Sequence, residues 1–244
     1  MQRTFAKLSA ILISALALPA QAQTPQELFE LGMRSYKNAD YEAAAKYFED
    51  SAQNGGGAAA HFNAGNAHAK MKKPGLAILS YERARYLNPR SPEAPANISA
   101  VSKSIGIPEG KSGLADSFFG ELSNSEWIIA ASCGFWIFTL SALLPVFLRK
   151  RNCAFKIAAV LGGGIFCVAV AGTIYWSQMR NTAISISQDA VLKLSPAKNA
   201  PAIAAFPEGR RAIIKERKGG YLRLYTPDKK SGWASLENVK PVRP

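Results

Sequence analysis

Hydrophobic positions follow different rhythms along the chain. From about residue 24 to 105 apolar residues return every three or four positions, as in "LFELGMRSYKNADYEAAAKYF" starting at Leu28. That is the spacing of amphipathic helices. Two later stretches have no polar face. "WIIAASCGFWIFTLSALLPVFL" runs from Trp127 to Leu148 and "IAAVLGGGIFCVAVAGTIYW" from Ile157 to Trp176, and neither holds a charge. Each reaches the roughly 20 helical residues that cross a hydrocarbon layer of about 30 Å. From Thr182 the rhythm shortens to runs such as "AISIS", "AVLKLS", "RRAIIKERK", "GYLRLY" and "SGWASLENVKPV", broken by Gly- and Pro-rich segments. These predict a small all-β barrel or sandwich.

The expected organisation is a multidomain membrane protein. Residues 1–22 read as a signal peptide: Arg3 and Lys7 are basic, Leu8–Leu18 is apolar, and Ala20-Gln21-Ala22 is a small-x-small cleavage pattern. All-α helical repeats with a capping helix fill 24–105, the cap running from Pro92 or Glu93 to about Ile105. A linker at 106–126 carries a short amphipathic helix marked by Leu114, Phe118, Phe119 and Leu122, suited to lying in a membrane interface or packing under the repeats. Transmembrane helices at 127–148 and 157–176 form a two-helix hairpin around a basic loop at 149–156, and a small β domain occupies 180–244.

Within the helical part, two stretches match at an offset of 33: Gly32 with Gly65, Ala44 with Ala77, and Phe48 with Tyr81. A fixed period of this length signals a helical repeat array. The small residues let paired helices approach, the aromatic residues fill the space between units, and Pro89 ends the second helix of the second copy. These residues resemble the tetratricopeptide repeat, although Ser35 stands where that family has an aromatic and Gly56 where it has a closing proline. The resemblance implies a concave groove that binds peptides. Asn63, Asn66 and Lys70, three and four residues apart, share the corresponding face, which reads either as that groove or as an ordinary solvated face. His61 and His68 are seven apart with no third ligand evident, so no metal is expected.

Charge then fixes orientation. The net charge of +13 is uneven: residues 23–126 hold 11 Lys/Arg and 12 Asp/Glu, whereas 177–244 hold 13 and 5. The turn between the apolar stretches carries Arg149, Lys150, Arg151 and Lys156 against Lys111, Arg180 and Lys193 on the flanks. Short basic loops stay in the cytoplasm, so both soluble parts are expected on the outer side of the bacterial inner membrane. Nucleic acid is therefore excluded as a partner of the basic segment. Cys133 and Cys167 lie in the apolar stretches and Cys153 in the loop, which offers neither a disulfide framework nor a metal cluster.

The β segment resembles bacterial SH3-like domains through "LKLSPAKNA", "FPEG" at Phe206–Gly209, "GGYLRLY" and "SGWAS". Tyr221 and Trp233 read as core or as the lining of a ligand groove. Arg210, Arg211, Lys215, Arg217 and Lys218 offer a basic face for acidic headgroups, an acidic partner or solvent. The whole order is similar to the BatE type of bacterial aerotolerance (Bat) proteins. That resemblance implies a non-enzymatic envelope adaptor without cofactors. Its expected partners are von Willebrand A-domain membrane proteins, other Bat-type components and, through them, a MoxR-type ATPase, with membrane lipid around the spans. The second reading is peptidoglycan attachment through the SH3-like domain. No nucleophile–base set, phosphate loop or metal constellation appears in the sequence, so no catalytic residue is expected.

Overall fold

The structure, a computed structural model, describes residues 23–107, 114–149 and 152–243, without the side chains of residues 114, 116 and 117. The expected signal segment 1–22, Lys111, Lys150 and Arg151 lie outside the described residues. Five helices form the N-terminal region: α1 (Pro25–Lys37), α2 (Tyr41–Gln53), α3 (Gly57–Lys70), α4 (Pro74–Leu87) and α5 (Glu93–Ser104). The short α6 (Leu114–Phe119) precedes two long apolar helices, α7 (Asn124–Phe147) and α8 (Cys153–Arg180). A seven-stranded antiparallel sheet follows, in the order β3-β2-β6-β5-β4-β1-β7. Its strands are β1 (Thr182–Ser185), β2 (Val191–Lys193), β3 (Ala202–Ala205), β4 (Arg211–Lys218), β5 (Tyr221–Tyr225), β6 (Ser231–Ser235) and β7 (Val239–Pro241).

The offset of 33 is written into the backbone. α1 and α3 both end in a Schellman motif. The Asp40 and Lys73 amides donate to the Ser35 and His68 carbonyls, each at 3.0 Å. The Ala39 and Lys72 amides donate to the Tyr36 and Ala69 carbonyls, each at 3.1 Å. Such a motif needs one left-handed residue, and Ala39 (φ 61°) and Lys72 (φ 57°) take that position. Side chains repeat as well: a Cβ on Gly32 would lie 2.7 Å from the Phe48 ring, and one on Gly65 would lie 2.6 Å from the Tyr81 ring. Each aromatic ring therefore sits on the glycine of its own helix pair, and Phe48 also joins Ala64 and Ala67 of the next pair. Gly56 has a packing cause, because a Cβ there would collide with the Ser51 hydroxyl. Ser51 is fully buried and donates to the Pro25 carbonyl at 2.7 Å.

α7 starts with a capping box: the Glu126 amide donates to Ser123 Oγ and the Ser123 amide to a Glu126 carboxylate oxygen. α8 is capped by Asn152, so the helix begins at Cys153 and Lys156 stands in its first turn; the connection is shorter than the 149–156 loop expected. The two helices cross where Gly134 meets Gly162. A Cβ on Gly134 would lie 2.7 Å from the Phe166 nitrogen, and one on Gly162 would lie 2.6 Å from the Phe138 nitrogen. Of the glycine triplet, Gly162 alone has this role, since Gly163 approaches only the Phe138 ring and Gly164 faces open space. Both helices are mostly exposed along their apolar lengths. Both are long and apolar enough to cross a membrane.

The sheet core gathers Leu192, Phe206, Ile214, Leu222, Leu224 and Val239. β3 was not expected: "AIAA" lies between Pro201 and Pro207 and is built mainly from alanine, a weak strand former. It pairs with β2 all the same, Val191 opposite Ala205 and Leu192 opposite Ala204. "SGWASLENVKPV" divides into β6 and β7, which sit far apart in the sheet order.

Candidate functional site

The helical region and the sheet share a core. Ile184 of β1 and Val242 after β7 belong to the same buried cluster as Ile78, Leu79 and Tyr81 of α4. Around it, polar contacts fix the joint. The Gly75 amide near the start of α4 donates to Glu208 Oε1 at 2.9 Å. Gly75 is tight against the sheet, where a Cβ would lie 2.6 Å from the Ser185 carbonyl oxygen. Arg83 donates to the carbonyls of Val242 (3.0 Å) and Pro241 (3.1 Å). Glu82, 3% exposed, pairs with Arg85 at 2.8 Å and with Arg211 of β4 at 2.5 Å. The "FPEG" turn is part of the joint: Gly209 adopts φ 80°, and a Cβ there would press on the terminal methyls of Ile78, Ile105 and Ile107.

On the helical region a groove of about 380 Å³ opens to solvent between α1, α3, α4 and α5. Tyr36, Asn66, Lys70, Tyr81, Asn97 and Val101 line it. Its centre is a fixed polar array. Tyr81 donates its hydroxyl to Asn66 Oδ1 at 2.8 Å, and Asn97 donates to the same oxygen at 3.3 Å. Asn66 donates in turn to Asn63 Oδ1 at 3.4 Å, and Asn63 donates to the Ala59 carbonyl at 3.1 Å. Burial pushes the Tyr81 phenol up to about 12, so it stays a donor across the physiological range.

Two of the three groove residues expected from sequence, Asn66 and Lys70, line this groove, and Asn63 supports Asn66 from behind. Tyr36, Tyr81 and Asn97 were missed. Asn97 was legible in principle, as the polar position on the groove-facing side of the capping helix. The histidines are not a pair: His68 is buried with Nε2 2.8 Å from Glu49 Oε1. That hydrogen bond, ahead of opposing burial, holds the Glu49 carboxyl below its ordinary value. His61 is half-buried near Arg83, and burial first and that guanidinium second push its imidazole down to about 4. Among the described residues no group of three or more His, Cys, Asp or Glu is placed to hold a metal.

On the sheet, Trp233 of β6 is 8% exposed and packs within the domain, and Tyr221 at the start of β5 is half-buried. Neither lines the groove above. Of the basic residues, Arg210 pairs with Asp228, Arg211 with Glu82, and Lys215 lies 5.8 Å over the Tyr225 ring; Arg217 and Lys218 are exposed. Arg149 and Lys156 are exposed at the far end of the apolar hairpin. No protein-family model matches the chain, and no curated protein matches it. Function is thus a matter of geometry and chemistry.

Proposed function

We propose that the protein is a non-enzymatic, membrane-anchored adaptor of the bacterial envelope. The observation that carries this is the open groove on α1, α3, α4 and α5, with its side-chain amides fixed in advance by Tyr81. An extended peptide presents a backbone donor and acceptor at every residue, and amide side chains held in place satisfy them with little ordering cost. In this reading the five helices are tetratricopeptide-type repeats, α7 and α8 are transmembrane helices, and the sheet is an SH3-like domain. Arg149, Lys150, Arg151 and Lys156 hold the turn in the cytoplasm, and both soluble parts face the periplasm. The order of parts supports membership of a Bat-type assembly with von Willebrand A-domain proteins and a MoxR-type ATPase, serving envelope stress tolerance.

The test is co-purification of the full chain from membranes in mild detergent. Lys70→Glu combined with Asn97→Ala should lower recovery of a periplasmic partner about tenfold, the worth of one charge-assisted hydrogen bond. A chain that purifies alone, or a partner indifferent to both substitutions, removes the adaptor reading. Peptidoglycan attachment is the weaker alternative, because the buried Trp233 presents no face to a glycan.

A further inference from the structure

A second cavity, of about 240 Å³, lies where the apolar hairpin meets the helical region. Three segments enclose it. Arg85 and Arg90 come from the end of α4 and the turn beyond it, Gly120 and Glu121 from the turn after α6, and Tyr175, Trp176 and Met179 from the last turns of α8. The wall is rigid. Trp176 is 2% exposed and donates its indole N–H to the carbonyls of Phe119 (3.1 Å) and Leu122 (2.8 Å). Tyr86 meets the Trp176 ring edge-on at 5.5 Å between centroids. Arg90 is steadied by Glu126 at 2.8 Å, and Arg85 by Glu82 at 2.8 Å.

The depth of this cavity follows from α8. Between Lys156 and Arg180 the uncharged stretch Ile157–Trp176 covers about 30 Å at 1.5 Å per residue, the thickness of the hydrocarbon layer. If α7 and α8 span a bilayer, Tyr175 and Trp176 stand at its edge and the cavity opens at headgroup level. The lining combines the guanidinium groups of one segment with a carboxylate and a tyrosine ring from the other two, beside Pro89, Ser91, Pro92 and Pro95. Guanidinium is suited to a phosphate and has five donors, so the carboxylate paired with Arg90 does not exhaust it. An ammonium is suited to a carboxylate and to an aromatic face. The volume is below the roughly 300–1,000 Å³ of sites that enclose whole small molecules, which fits a headgroup whose tails remain in lipid.

We propose that this cavity binds the headgroup of a zwitterionic aminophospholipid, its phosphate on Arg90 and Arg85 and its ammonium on Glu121 and Tyr175. This rests on the membrane reading of α7 and α8. The bound lipid would cement the hairpin to the helical region and set the height of the peptide groove above the membrane.

The full chain is expressed, and membranes are first washed with alkaline carbonate. Release into the wash overturns both the membrane reading and the lipid site. For a retained chain, native mass spectrometry from mixed phosphatidylethanolamine and phosphatidylglycerol micelles reads the bound lipid. The expected result is retention of phosphatidylethanolamine about tenfold over phosphatidylglycerol, lost in Glu121→Gln and weakened for both lipids in Arg90→Ala. Both residues are exposed, so folding should survive, which far-ultraviolet circular dichroism checks. Equal retention of the two lipids, or retention unchanged in both variants, overturns the site and leaves the spans intact. Displacement of the lipid by equimolar glycerophosphoethanolamine reassigns the cavity to a soluble phosphate ester and overturns the lipid assignment.

Discussion

Tyr81 occupies the space where a side chain on Gly65 would be, and this one contact joins the core to the groove. A methyl group at Gly65 would lie 2.6 Å from the Tyr81 ring, so the ring must move and take its hydroxyl from Asn66. Gly65→Ala should therefore cost about 1–3 kcal/mol by overpacking and weaken peptide capture beyond that loss. Thermal melts of the full chain and partner retention at a fixed folded fraction separate the two effects. His61 gives the pH dependence. Its folded value of about 4 lies below the ordinary 6.5, so the folded state disfavours the proton. Stability is fully present above about pH 6.5 and declines as the pH falls toward 4. Urea midpoints at pH 7 and pH 5 should differ in the native chain, and the difference should shrink in His61→Gln. An unchanged difference would locate the acid sensitivity elsewhere, with Glu49 contributing only below its ordinary range.

Elements were legible where a pattern is local. The offset of 33 foretold both helix pairs, the segment from Pro92 or Glu93 to about Ile105 foretold the capping helix, and the lack of charge foretold α7 and α8, because each signal lies in nearby sequence. β3 was hidden, since alanine between prolines has no strand signature and gains its place only by pairing with β2. At the hairpin mouth Trp127 and Trp176 are both buried, with their indoles donating to the Phe119 carbonyl. That burial is assembled from distant segments: the end of α6 and Leu122 beyond it, Tyr86 of α4 against Trp176, and Gly172 of α8 against Trp127. The glycine crossing allows a test with an internal control. Gly162→Leu must displace α7, because a Cβ alone would lie 2.6 Å from the Phe138 nitrogen. Separation of the helices should expose Trp176 and shift its fluorescence to longer wavelength. Gly164→Leu, facing open space, should leave the spectrum unchanged.

At the scale of the whole molecule, the joint between helices and sheet decides what kind of device this is. Its contacts link α4 to residues more than a hundred positions later, so no window of sequence reveals them. Glu82, Arg83 and Arg211 each look like ordinary surface charge. Together they make one platform, and that constrains topology. Parts that share a core cannot lie on opposite sides of a membrane, so if α7 and α8 cross one, the Ile78–Ile184–Val242 cluster requires the hairpin to return to the side it left. Glu82 is the point at which the platform is most exposed to damage, because it is buried and pairs with arginines from both halves. Glu82→Ala leaves Arg85 and Arg211 close together without their carboxylate, at a cost of about 1.5–3 kcal/mol. Hydrogen exchange should then rise in β1 and in the first turns of α4, with the sheet core around Leu222 and Leu224 still protected. Arg83→Ala should loosen the same seam from the β7 side. If exchange rises throughout the sheet instead, the joint supports the fold of the β domain itself, and helices and sheet are one cooperative unit rather than two docked parts.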